Sequence, residues 1–146
     1  MKYQPVIFRE YDVRGVYDVD YNLKFAENLG RAFVAATVAK TGIKNPTLTI
    51  GHDARLSSGP IVESLVKGIT ESGANVLRIG LVTSPMTYFT TFAVDGVDGG
   101  IMVTGSHNPP EYNGFKISIG KSTIFGPEIK NLETIIVGNK YLTGKG

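Results

Sequence analysis

The strongest constraint on the fold is an alternation: stretches with apolar residues every three or four positions take turns with short apolar runs that end near glycine. Leu23, Ala26, Leu29, Phe33 and Ala36 form one stripe with Lys24, Glu27, Asn28 and Arg31 opposite, which predicts an amphipathic helix stopping near Gly42. TLTIG, residues 47–51, reads as a buried strand. A second helix is predicted from about Pro60 to Ser72, with Ile61, Val62, Leu65, Val66 and Ile69 on one face, a Glu63–Lys67 pair on the other, and Gly73 as its stop. NVLRIG (75–80) is the next strand, and Ser84-Pro85 supplies an N-cap and a first-turn proline for a helix to about Val94. GGIMVTG (99–105) and FKIS (115–118) add strands, and PEIKNLETII from 127 a last helix.

This order predicts an α/β fold of three layers, α/β/α, with a mostly parallel but mixed sheet, helices on both faces, and a single domain over residues 1–146. At 42% hydrophobic and 19% charged residues the chain has the composition to bury one core. Ligands of such sheets bind outside the carboxyl ends of the strands. HDARLSS (52–58), LVTS (81–84) and SHNPPEYNG (106–114) should therefore share one rim.

Composition excludes several classes of function. There is no cysteine, so disulfides and thiolate metal sites are out, and a reducing cytoplasm is the expected location. The N-terminus, MKYQPVIFREYDVRG, has no apolar stretch of signal-peptide length, and no run of about 18 apolar residues predicts a membrane span. The net charge is +2 and the basic residues are scattered, so neither nucleic acid nor a membrane is an expected partner.

The chemistry concentrates in TGSHNPPEYNGFK, residues 104–116. Ser106 follows a strand and Gly105, which leaves the backbone free for an unusual conformation. Pro109 and Pro110 pre-set the loop. Ser106 and His107 could simply finish a turn. They could also be a hydrolase pair, but neighbouring side chains of an extended segment point to opposite faces, and Asn108 stands where a nucleophile elbow needs its second glycine. A phosphoryl group on Ser106 fits better. Phosphoserine brings about 1.5 to 2 negative charges and three acceptor oxygens, which call for cations and N–H donors. Lys116 could return to the rim through Asn113-Gly114, and Arg14 and Arg55 are further candidates. Each cation taken singly reads equally as a surface charge, with Asp12 and Asp53 as local mates. GKST (120–123) lacks the glycine spacing of a phosphate-binding P-loop and reads as a hairpin turn; DGVD (95–98) has too few ligands for a metal loop and reads as a turn.

FREYDVRG (8–15), GHDARLSS (51–58) and TGSHNPPEYNGFKI (104–117), in this order, closely resemble the first domain of the α-D-phosphohexomutases, the phosphomannomutase and phosphoglucomutase enzymes, over essentially the whole chain. The resemblance implies a reversible shift of phosphate between the 1 and 6 positions of a hexose, through a phosphoenzyme and a bisphosphorylated sugar. Ser106 matches the serine that carries the phosphoryl group, whose phosphate also ligates Mg²⁺. His107 and Lys116 match residues beside the transferring group, with His107 or a neighbour as proton shuttle. Arg14 and Tyr11 match positions close to the phosphoserine, and Asn108 and Asn113 match supports of the phosphate-binding loop. It further implies a phosphosugar substrate, glucose or mannose 1,6-bisphosphate as activator, and domains 2–4 of the family as partners. Their metal, sugar and phosphate loops lie outside this sequence, so the chain alone is expected to be inactive. Two other readings remain open: a non-catalytic phosphate or phosphosugar-binding module, and an interaction unit with an apolar face at the rim.

Overall fold

Asn22 starts the first long helix by accepting the Phe25 amide on Oδ1 (3.1 Å), and Gly42, at φ 76°, ends it where an L side chain would be strained. This is helix α1 (Leu23–Thr41) of a computed structural model that describes residues 1–146. Before it lies strand β1 (Val13–Val16); after it come β2 (Thr47–His52), α2 (Ser58–Thr70), β3 (Asn75–Leu81), α3 (Ser84–Ala93), β4 (Val97–Val103), β5 (Tyr112–Ile119), β6 (Ser122–Thr123) and α4 (Pro127–Val137).

One mixed sheet holds every strand in the order β1-β5-β4-β2-β3, with β6 on β5. β2 pairs in parallel with β3 and β4, which is the part built by helical crossovers; β5 runs antiparallel to β4, β1 and β6. Helices cover both faces, as expected. α1, α2 and α4 lie on one side and bury Phe25, Leu29, Phe33, Leu65, Ile69 and Leu132 with Leu48, Ile50, Ile101 and Ile117 of the strands. Close approach of α1 to α2 depends on Gly68, since a Cβ there would collide with the Glu27 carbonyl.

Only α3 covers the other face, and its contact is polar. Thr90 Oγ1 lies 2.9 Å from Thr49 Oγ1, Thr87 Oγ1 donates to Met102 Sδ (3.3 Å), and Thr87, Thr90 and Thr91 are buried. Its outward residues are Met86, Phe89 and Phe92.

Several details depart from the sequence reading. Strand β1 was not anticipated, because Arg14 and Gly15 interrupt its apolar pattern. β5 starts at Tyr112, three residues earlier than FKIS suggests. Ser84 does not cap α3; Thr83 holds that position, without a side-chain hydrogen bond. The Glu63–Lys67 pair is not made, because Glu63 reaches Arg78 of β3 while Lys67 reaches Glu27 (3.1 Å). Glu27 and Asn28 face α1's neighbours rather than water. Burial would raise the Glu27 carboxyl, but Lys24 and Lys67 outweigh it and hold the group below the ordinary range. GKST holds the β5–β6 hairpin turn, with Gly120 at φ 61°, and the first two residues of DGVD turn from α3 into β4, which begins at Val97. No helix is long and apolar enough to cross a membrane.

Candidate functional site

Strands β2, β3 and β4 run parallel, so their carboxyl ends share one edge of the sheet, and the three rim segments meet there. β4 ends at Val103, opposite Phe115, but β5 and β1 continue past it as a two-stranded ribbon in which Arg14 pairs with Gly114. The ribbon forms a wall beside the loop that leaves β4. Side chains alternate along a strand, so Asp12 and Arg14 share one face of β1, and Lys116 occupies the same side of β5.

Arg14 is buried on this wall. Its Nη1 donates to Asn108 Oδ1 (2.6 Å) and to the Gly105 carbonyl (3.5 Å), and its Nη2 donates to Asp12 Oδ2. Its Nε is buried without a protein partner. The same Asp12 oxygen stands 3.9 Å from Lys116 Nζ, so one carboxylate holds two cations next to the loop.

The loop is a chain of turns. Thr104 Oγ1 accepts the Ser106 amide (2.8 Å), Asn108 N donates to the Gly105 carbonyl (3.0 Å), and Ser106 sits at φ 55°, in the left-handed region. Ser106 and His107 are exposed, and neither side chain makes a hydrogen bond. Because residues 105–108 turn, the extended geometry used above to separate Ser106 from His107 does not apply; the pair is unbonded all the same.

Behind the loop, Asp53 accepts from Ser58 Oγ (2.7 Å), Thr104 Oγ1 (2.8 Å), Gly105 N (3.1 Å) and Arg55 N (3.1 Å). Burial alone would raise its carboxyl, and these hydrogen bonds more than offset that, holding it below the usual carboxylate range. Arg55 pairs with Asp53 (Nε to Oδ2, 3.0 Å) and reaches the loop backbone.

The structure thus gathers Arg14, Asn108 and Lys116 at the Ser106 loop, with Asp12 joining the two cations. Asn113 is fully buried on the helix side, where it donates to Ser57 Oγ (2.9 Å) and Ser58 Oγ (3.0 Å) and accepts from Gly114 N (2.9 Å). Through these bonds it braces β5 against the start of α2. Tyr11 is 74% exposed, with no hydrogen bond from its hydroxyl. Thr104 escaped the sequence reading, since a strand-end threonine carries no signal of its own; its partner Asp53 appeared only as a mate for Arg55. A concavity of about 550 Å³ adjoins the loop on the Arg55 side, lined by Asp53, Ala54, Arg55, Leu56, Asn108 and Pro110. Neither it nor its neighbour beside Tyr17 includes Ser106, Arg14 or Lys116 among its lining residues.

Residues 5–141 match the family model for "Phosphoglucomutase/phosphomannomutase, alpha/beta/alpha domain I". A phosphoglucomutase of Neisseria gonorrhoeae is 44% identical over 131 residues, which are 89% of this chain and 27% of that protein. A phosphomannomutase/phosphoglucomutase of Pseudomonas putida is 39% identical over 140 residues, 96% of this chain and 29% of the relative. A crystal structure of a phosphoglucomutase/phosphomannomutase family protein from Burkholderia thailandensis superposes with a TM-score of 0.90 at 36% identity, covering 99% of this chain and 32% of that one. The chain therefore spans less than a third of the length of these relatives.

Proposed function

The chain belongs to the phosphoglucomutase/phosphomannomutase family, matching its α/β/α domain I, and from that premise we propose that it carries the phosphoryl-bearing loop of a phosphohexomutase. In this reading Ser106 Oγ takes a phosphoryl group from a hexose 1,6-bisphosphate and returns it to a hexose monophosphate, so that phosphate moves between the sugar's 1 and 6 positions. As the serine O–P bond forms, the sugar O–P bond breaks; the serine proton leaves to the His107 imidazole, and the sugar oxygen takes a proton in return.

One observation carries the reading: a buried arginine, bonded through Nη1 to the Gly105 carbonyl and Asn108, stands at the loop whose serine hydroxyl is exposed and without a partner. A doubly negative ester on that hydroxyl calls for cations beside it, and Arg14 supplies one. Lys116, drawn to the same place by Asp12, adds a second cation, and Asn108 fixes the loop against Arg14. Phosphoryl transfer depends mainly on positioning and charge neutralisation, and these groups supply both on one side of the serine. Tyr11, exposed just before β1, completes the reading as a residue close to the phosphoserine.

Mg²⁺ does not fit this chain alone. No group of three or more His, Asp or Glu side chains could hold an ion, and Asp12 is engaged by Arg14 and Lys116. Here the ion would find a single ligand, a phosphate oxygen on Ser106, and no step of the reading passes through it. The remaining domains of the enzyme are the proposed partners, and the cytoplasm the proposed location.

Intact-mass measurement after incubation with glucose 1,6-bisphosphate tests the assignment. One added phosphoryl group is expected on the chain and none on Ser106→Ala. A phosphoryl group retained by Ser106→Ala would place the chemistry elsewhere.

A further inference from the structure

Arg55 has five N–H donors, and the structure engages all of them. Nε donates to Asp53 Oδ2 (3.0 Å), Nη1 to the carbonyls of Pro109 and Tyr112 (2.9 Å to Tyr112), and Nη2 to those of Ser106 (3.1 Å) and Asn108 (2.7 Å). None is left for a ligand. Arg14, by contrast, keeps its Nε unpaired. Both guanidinium groups bond to the one loop, but with different donors to spare, and they cannot do the same work.

We infer that Arg55 is a positioning residue: it grips four backbone carbonyls of residues 106–112 and so holds the loop in the shape that presents the Ser106 hydroxyl to the Arg14 side. Three observations converge on this. Ser106 is a non-glycine residue in the left-handed region, a conformation that persists only where its surroundings over-determine it, and its own carbonyl is one of the four. Gly105 must be glycine for the same reason, because a Cβ there would fall onto the Arg55 guanidinium, with Nη1 at 2.7 Å. Asp53 closes the arrangement, since it binds Arg55 and also the Thr104 hydroxyl and Gly105 amide that begin the loop. Lysine cannot substitute. It has three donors around one point and no planar fork to span four carbonyls.

The purpose assigned to Arg55 rests on the phosphoryl-carrying reading of Ser106, whereas its grip does not, and the two can fail separately. Amide hydrogen exchange of the folded chain reads the grip. In Arg55→Lys and Arg55→Met, the amides of Gly105, Ser106, Asn108 and Tyr112 are expected to exchange at least about tenfold faster, with those of β2 and β4 unchanged. In Ser106→Ala they should keep their native rates, because Arg55 holds carbonyls and not the hydroxyl. Loop amides that exchange at the native rate in both Arg55 variants would overturn the assignment. Should both variants fail to fold, the unsubstituted chain still decides: the Arg55 Nε–H should exchange at least about tenfold more slowly than that of Arg9, which is exposed and unpaired, and equal rates would overturn the inference. A protected loop whose serine is never phosphorylated, even with the remaining domains of the enzyme supplied, would remove the phosphoryl reading and leave Arg55 in its role.

Discussion

Asp53 receives three side-chain and two backbone donors in one small volume, and its ionisation is tied to folding. Its folded pKa lies below the ordinary 3.8. The carboxylate therefore contributes stability that is present above that value and is lost as pH falls through the folded pKa. Glu27, held low by Lys24 and Lys67, behaves likewise, so the native chain alone would not separate the two. Comparison with Asp53→Asn does. The native chain should melt at the higher temperature near neutral pH, and the gap should narrow as pH drops below about 4, where the native side chain becomes protonated. A gap of constant size down to about pH 3 would show that the carboxylate charge contributes nothing at this position.

Helix α3 inverts the usual arrangement, with threonines against the sheet and Met86, Phe89 and Phe92 outward, the two phenylalanines 65% and 59% exposed. The cation contact to these rings is an exposed one, Lys121 Nζ over Phe92 at 5.3 Å from its centroid, outside the core. Phe89→Glu with Phe92→Glu should therefore leave the unfolding free energy within about 1 kcal/mol, since two exposed substitutions each shift it by roughly 0.5. It should also reduce self-association measured by sedimentation, as removal of an apolar patch does; association unchanged by both charges would exonerate α3. The stripe escaped notice because the N-terminal Ser-Pro signal identifies a helix without saying which face is buried. α1 and α2 were legible because their apolar stripes face the core, as 3.6-residue periodicity assumes. β1 was not, because a four-residue strand containing Arg14 and Gly15 owes its pairing to β5 rather than to its own pattern. The site divides in the same way. Ser106, Lys116 and Arg14 stood out as local chemistry. Arg55, read as a phosphate cation, proved to hold carbonyls more than 50 residues away, a connection only the folded rim creates.

At the scale of the molecule, the core and the site differ in how complete they are. A cluster of 28 buried apolar residues draws on β1, β2, β4, β5 and helices α1, α2 and α4, so these elements should melt together in one cooperative transition. The proposed phosphate face is one-sided. Arg14 and Lys116 can neutralise an ester on Ser106, but Arg55 has no donor to spare, and the concavities near the loop do not include the serine. A hexose bisphosphate has a second phosphate and several hydroxyls, and nothing on this face is arranged to hold them while the first phosphate reacts. Orientation of bound reactants supplies on the order of 7 to 11 kcal/mol of barrier lowering in well-aligned reactions, so a chain that grips only the reacting end forfeits most of its rate. The purified chain should therefore unfold in a single calorimetric transition and yet convert glucose 1-phosphate to glucose 6-phosphate no faster than its Ser106→Ala variant in a coupled assay. Turnover well above that variant, by the folded chain alone, would mean that this face binds the whole sugar and that its one-sidedness has been misjudged.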